Sequence, residues 1–440
     1  MQIKMGAILN LIKRYLTVII LFTAFMGKAQ VIYPPTIDSL VLWLSADSLS
    51  LSNDSVNQWQ DVSGRGNDFS QAVLSYQPRL LEADSVLNNK PVVIFDGIND
   101  YLNGGDILDV GINSRSIFII GRCNSSTGTY LAKSIYAAGN NRYALWYSSP
   151  DFYNFYIETA DFGVTSARSS GRYEIITSLI NRTNRTLKTF FNSNLSGTSI
   201  NISDSGYDFN SPYRFLVGAY NDGSDNNGVM FLQGLIAEII IYNKALSDSE
   251  RLGVEQYLRY KYSPPINLGS DINITYGFCD TTISAGKNWF TSYLWNTGET
   301  TESISVSESG TYSVTVTDIF GFTSSDSIQV TYPELVFNVT DTTICKGDTV
   351  NISTNLSLLS NYTYLWNSGS ASDSINVYED SSISISVTDS NLCSIDSDTI
   401  QISIDNFSDL ISLGEDVSVC SGNTISLDTY PDNPDSLFYN

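Results

Sequence analysis

The chain of 440 residues carries 46 Asp and Glu against 23 Lys and Arg, a formal net charge of −23, with 42% hydrophobic residues and no His. Without His, Ser-His-Asp and Cys-His catalysis and the HExxH zinc site are excluded, and the usual general base at neutral pH is missing. The acidic surplus argues against nucleic acid, whose phosphates require basic side chains, and against anionic lipid surfaces; the apolar content suffices for packed cores in about two to four domains.

Residues 1–29 have the three-part layout of a secretory signal peptide. Lys4, Lys13 and Arg14 precede the apolar run Tyr15–Phe25, and Gly27 and Ala29 put small residues at the −3 and −1 positions before Gln30. About eleven apolar residues fall short of the ~20 that span a bilayer, so cleavage is expected, with no membrane insertion of the remainder. Cleavage removes four of the 23 basic residues and no acidic one, which leaves a net charge of −27. The expected location is extracellular, secreted or on the cell surface.

From residue 30 to 262 short strand-like stretches alternate with Gly, Asn, Asp and Ser clusters, the pattern of a β-sandwich. The run Ser116–Ile120 is continuously apolar, as a strand covered on both faces is. Further strands are expected at Pro91–Phe95, Arg142–Tyr147, Phe152–Glu158, Tyr173–Ile180, Leu187–Asn192, Arg214–Gly218 and Leu235–Tyr242. Ser247-Asp-Ser-Glu250 is a capping box that opens one helix, and Pro264-Pro265 marks the linker after it.

Beyond the linker the sequence repeats. Tyr293-Leu-Trp-Asn296 recurs as Tyr364-Leu-Trp-Asn367, and Thr-Asp318 recurs as Thr-Asp389, both with a period of 71 residues. Alternating strands at this period predict small β-sandwich modules at 263–332 and 333–405. A third copy opens at Leu413-Gly-Glu-Asp416 and has no counterpart of Gly310–Asp318. Segment 406–440 is therefore expected to be a truncated repeat of a longer protein, since half a sandwich buries too little surface to offset its chain entropy. Cys345 and Cys393 flank Trp366 in the second repeat, which predicts a disulfide between them outside the reducing cytoplasm. Cys279 has no partner in its own repeat, because the position matching Cys393 is Phe322.

Five ordered motifs carry a resemblance. Leu40-Val-Leu-Trp-Leu-Ser-Ala-Asp47, Trp59–Asn67 and Phe95–Leu102 resemble the opening of a laminin G-like, concanavalin A-like jelly roll, and Gly234–Asn243 followed by Ala245–Arg251 resembles its closing strand and helix. Residues 266–440 are similar to the Ig-like or PKD-like repeats of large surface proteins exported by type IX secretion. The resemblance implies an all-β chain: an N-terminal jelly-roll β-sandwich with one C-terminal helix, then tandem Ig-like β-sandwich modules.

Related jelly rolls often hold a structural calcium, and Asp96, Asp100 and Glu238 offer the oxygen ligands such an ion takes; the alternative is that Asp96 and Asp100 only form turns. Sugars stack on exposed aromatic rings while polar side chains take their hydroxyls. If Leu145 points inward, Trp146 points outward, and with Tyr153, Phe155 and Ile157 inward, Tyr156 and Glu158 join it on the other face. Trp146, Tyr156 and Glu158 are thus the candidate ligand residues; the alternative places Trp146 in the core. Strand Leu235–Tyr242 offers only Glu238 where related glucanases cluster acids, so no enzyme activity is expected of this chain. The expected function is non-catalytic recognition of a polysaccharide or glycan. A surface protein as partner, or an accessory role beside a catalytic domain outside this chain, stays open.

Overall fold

A computed structural model describes residues 30–405 apart from 53, 110, 134–141, 149–151, 159–162, 168–170, 201–209, 222–227 and 357–360. The expected signal peptide and the truncated third repeat lie outside the described residues. Among those described, the chain is built of strands with a single α-helix, Asp248–Tyr262.

The larger body is a β-sandwich whose two layers join through the strands at 55–61 and 79–84 into one sixteen-stranded system. Strand Arg115–Cys123 lies in the back layer, paired antiparallel with Gln233–Tyr242 on one side and Glu174–Asn181 on the other. Its apolar run serves two cores. Ile117 and Ile119 face the front layer with Trp59, Phe95, Leu131, Leu145 and Phe215, and Phe118 and Ile120 face the helix with Val254, Leu258 and Tyr262. Cover on both faces is why the run does not alternate with polar residues.

The helix begins as its sequence predicts. The Glu250 amide donates to Ser247 Oγ at 3.3 Å and the Ser247 amide to Glu250 Oε2 at 2.8 Å. Gly253, a poor helix residue, is needed because Ile32 lies where its Cβ would stand, 2.4 Å away, and the Ile32 amide donates to the Gly253 carbonyl at 3.0 Å.

The closing strand Gln233–Tyr242 carries a β-bulge, where the register against its neighbour slips between Ile236 and Glu238. Ile236 faces the inter-sheet core and Ala237 the helix; beyond the bulge Ile239 and Ile241 return to the core. The extra residue turns Glu238 toward the helix rather than into the sandwich. There the carboxylate, with no solvent exposure, accepts from Trp43 Nε1 at 2.6 Å, Tyr262 Oη at 2.7 Å, Lys261 Nζ at 2.8 Å and Tyr257 Oη at 3.2 Å. Burial alone would lower the Lys261 ammonium, but Glu238 and Asp47, the latter 2.8 Å away, hold it above its ordinary value. Burial and the Glu238 charge together push the Tyr262 hydroxyl well up, which keeps it a donor.

The two repeats form two small β-modules of one plan. In each, the first strand pairs parallel with the last, Ile272 with Val330 and Thr342 with Ile402. Trp295 and Trp366 fill the cores, and their indole N–H groups donate to Thr301 O at 2.9 Å and Ser372 O at 2.8 Å. The Asn that follows each Trp brackets the neighbouring strand. Asn296 accepts from the Ser313 amide and donates to Thr311 O, and Asn367 does the same with Ser384 and Ser382. The recurring Trp-Asn pair is thus a core filler followed by a strand clamp.

The junctions reuse one loop. Asp318 Oδ1 accepts from the Phe320 and Phe322 amides, and its Oδ2 takes Arg259 Nε of the helix at 2.7 Å. Phe320 enters the core beneath the helix, and the Arg259 guanidinium lies over the Phe322 ring at 4.6 Å. In the second module Asp389 Oδ1 accepts from the Asn391 and Cys393 amides, and Oδ2 takes the Phe278 amide of the first module at 2.8 Å. Where Phe322 stacks on Arg259, Cys393 forms a disulfide with Cys279 (Cα–Cα 5.1 Å).

This corrects the expected Cys345–Cys393 pair. Cys345 ends a strand paired with Ile402–Asp405, whereas Cys393 follows the strand Ile385–Thr388. Since Ser381 pairs with Ile402 and Ile383 with Ile400, that sheet carries Asp405 and Cys345 to the end of the module away from the Asp389 loop. Cys345 is a free, exposed thiol and Cys123 a free, buried one. The Cys393 partner lies across the module boundary, where Cys279 waits.

Two outcomes follow from these contacts. Glu238→Ala strands three donors in a buried site while Lys261 keeps Asp47, and is expected to lower stability by about 3 kcal/mol in urea unfolding; a loss within experimental error contradicts the bracket. Non-reducing peptide mapping is expected to recover a Cys279–Cys393 cross-link, with Cys345 alkylated in the native protein and Cys123 only after unfolding.

Candidate functional site

The calcium ligands expected from sequence are not brought together. Asp96 Oδ1 closes a turn by accepting the amides of Ile98 at 2.8 Å and Asn99 at 3.2 Å, and Asp100 Oδ2 accepts the Asp96 amide at 2.9 Å. Glu238 is spent on its four donors beneath the helix. Among the described residues, the cluster of three groups with ligand geometry is Cys279, Asp389 and Cys393, whose sulfurs are joined to each other. The carboxylates at 96, 100 and 238 therefore do not fit a shared calcium ion. Asp100 is buried, and burial, reinforced by the charge of Asp96, raises its carboxyl to about 6 against the pull of the Asp96 amide.

Trp146 is placed as its strand pattern predicts. Leu145 packs in the inter-sheet core, and Trp146 lies on the opposite, outer face of the front layer, half-buried. Its ring meets Tyr220 edge-on at a centroid distance of 5.6 Å. The strand register sets Asn154 opposite Trp146, Tyr156 opposite Ala144 and Glu158 opposite Arg142. The side chains of Tyr156 and Glu158 lie outside the described residues.

The larger sandwich also forms a polar pocket of about 630 Å³, lined among others by Asp68, Asn103, Asp106, Tyr213 and Arg214. Tyr220 and Asn221 connect the two features: Tyr220 packs on Trp146, and Asn221 lines the pocket. The rim is a built turn. The Asn103 side chain accepts from the Gly105 amide at 2.8 Å, Gly105 has φ +79°, and a Cβ on Gly104 would stand 2.8 Å from the Phe69 ring. Underneath, Lys133 is 1% exposed and donates to Asp106 Oδ1 at 2.6 Å and Tyr213 O at 3.0 Å. A buried ammonium thereby fixes both sides of the pocket, and its charge is matched by Asp106 and by Asp109 at 3.4 Å. Asp68 accepts from Gln58 Nε2 and the Asp61 amide, which fixes its orientation.

None of these pocket residues is prominent in the sequence, because they come from five separated segments. One signal was present. Lys133 ends the otherwise uncharged strand Gly128–Lys133, and a lysine in such a strand must find a carboxylate or leave the interior. The lining combines amide, carboxylate, phenol and guanidinium groups, which suit a polar, hydroxyl-rich ligand.

No protein-family profile matches the sequence, and no curated protein is similar to it. Among solved structures the chain is similar to the CBM40 of a Ruminococcus gnavus IT-sialidase bound to α2,3-sialyllactose. That match has 13% identity and a TM-score of 0.29, and covers 33% of this chain and 84% of that one. It is also similar to a Trypanosoma rangeli sialidase in complex with sialic acid, at 11% identity and a TM-score of 0.37, over 54% of this chain and 37% of that one.

Asp100 gives the region a measurable pH response. Its folded pKa of about 6 lies above the ordinary carboxyl value of about 3.9. The folded state therefore holds this proton more tightly, and its contribution to stability is lost as pH rises from about 4 to 6. Relative to Asp100→Asn, the parent protein is expected to gain stability when the pH is lowered from 7 to 5. A constant difference between the two urea midpoints contradicts the assignment.

Proposed function

We propose that this chain is a secreted or cell-surface, non-catalytic glycan-binding protein. The larger sandwich supplies the recognition face, and the small Ig-like modules form a stalk. The observation that carries this reading is the polar pocket of Asn103, Asp106, Tyr213 and Arg214, in the same sandwich as the half-buried, outward ring of Trp146. Sugar binding combines hydroxyl recognition by polar groups with stacking on an aromatic face, and the larger sandwich offers a pocket of the first kind and, at Trp146, a ring of the second. The acids of the pocket favour binding over hydrolysis: Asp68 is committed to two donors and Asp106 to Lys133, so neither is an acid in apolar surroundings set to protonate a leaving group. The stalk reading rests on the head-to-tail docking of each module through its Asp loop.

A glycan array with the full chain tests the reading. At least one neutral or mixed glycan is expected to bind, and Trp146→Ala and Arg214→Ala are each expected to weaken that binding by about tenfold or more at a temperature where circular dichroism shows both variants folded, the Trp146 variant also losing some stability with its packing on Tyr220. A folded protein that binds no glycan overturns it, as does a glycan hit indifferent to both substitutions.

A further inference from the structure

We propose a second binding site, in the cleft between the larger sandwich and the first small module, for an anionic oligosaccharide whose carboxylate or sulfate group is held by Arg122 and Arg172. The site is separate from the Trp146 face, and its assignment does not require that face to bind anything.

Lys133, Arg251, Arg259 and Lys261 are each held by a carboxylate at 2.6–2.8 Å. Arg122 is not. Among the described residues no carboxylate lies within ion-pair distance of it, its Nε is buried without a partner, and its guanidinium lies over the Tyr173 ring at 4.9 Å. Stacking fixes the plane of the guanidinium, and Asp84, the carboxylate that reaches that ring, is spent on the Tyr173 hydroxyl at 2.7 Å, so the guanidinium N–H groups are not taken up by an ion pair and can receive an oxyanion. Arg172 is exposed and stands on the same wall, again with no ion-pair partner among the described residues.

The cleft itself is fixed by the junction. It encloses about 620 Å³, the size of a small-ligand site, with the sandwich on one side and Thr291, Thr317, Ile319 and Phe320 of the first module on the other. The Arg259–Asp318 pair and the insertion of Phe320 into the core beneath the helix hold the two walls together. Both carboxylates on the walls are engaged: Asp318 by Arg259, and Glu174 by the Asn192 side-chain amide at 2.6 Å. The Thr291 hydroxyl donates to Thr317 O at 3.1 Å and keeps its oxygen as an acceptor for a sugar hydroxyl, Thr317 adds a second hydroxyl, and Ile319 offers an apolar surface to the C–H face of a ring. This combination favours a charged sugar over an acidic peptide.

Isothermal titration of the full chain at low salt, with tetragalacturonate, its methyl ester and a carrageenan tetrasaccharide, tests the proposal. Binding of at least one anionic sugar is expected, the first arm reporting a carboxylate and the third a sulfate. The methyl ester is expected to bind at least about tenfold more weakly than tetragalacturonate where the carboxylate is the recognised group. Arg122→Gln is expected to weaken anion binding by about tenfold or more, and Arg172→Gln, an exposed change that leaves folding intact, by several-fold. Trp146→Ala is expected to leave it unchanged, so that failure here and failure of the glycan-face reading are told apart. The proposal is overturned if neither anionic sugar binds, if both arginine variants bind as the parent does, or if hexaglutamate binds and the sugars do not.

Discussion

A buried carboxylate under the helix organises this molecule. Glu238 takes donors from the opening strand through Trp43 and from the helix through Tyr257, Lys261 and Tyr262. An uncompensated charge at such depth would cost several kcal/mol, so the four donors must converge or the carboxylate must leave. That demand fixes where the helix lies along the sheet. The helix then presents Arg259 to Asp318, which orients the first module and shapes the cleft beside it. A single bulge residue, Ala237, thus sets the position of contacts far away in sequence.

Beyond the helix, one device is used twice. The loops after Asp318 and Asp389 are each closed by carboxylate-to-amide hydrogen bonds, and each spends its second oxygen on the preceding body. What differs is the reinforcement. At the first junction an aromatic ring under a guanidinium supplies it, at the second a covalent bond. The Asp389 carboxylate illustrates why the loop persists: burial alone would raise it, yet the amides of Phe278, Cys393 and Asn391 hold it below the ordinary carboxyl range.

Much of the architecture was legible in the sequence, and the failures have physical causes. The apolar run at 116–120, the capping box at Ser247 and the inward Leu145 with outward Trp146 all follow from local sequence: a run covered on both faces, a cap made within four residues, and alternation along one strand. Glu238 escaped because strict alternation from Ile236 sends it into the inter-sheet core, and a bulge is invisible to alternation. The disulfide escaped because the repeat pattern reports which residues are equivalent, not which ends of two modules touch. Cys345 and Cys393 share a repeat and stand at its opposite ends. The polar pocket was hidden for a related reason, since segments near 68, 103–106, 133, 213 and 221 converge only after the front layer is paired.

The Cys279–Cys393 link also determines how the two small modules carry tension. The two sulfurs are separated by 114 residues of chain, which include most of both small modules. A force drawn along the polypeptide enters at Cys279 and leaves at Cys393 through the sulfur–sulfur bond, so the backbone between them bears no load. At roughly 3.3–3.6 Å per extended residue, almost 400 Å of slack is kept out of the force path while the bond is intact. With the bond formed the pair of modules behaves as a strap of fixed length, and reduction turns the same segment into an extensible one.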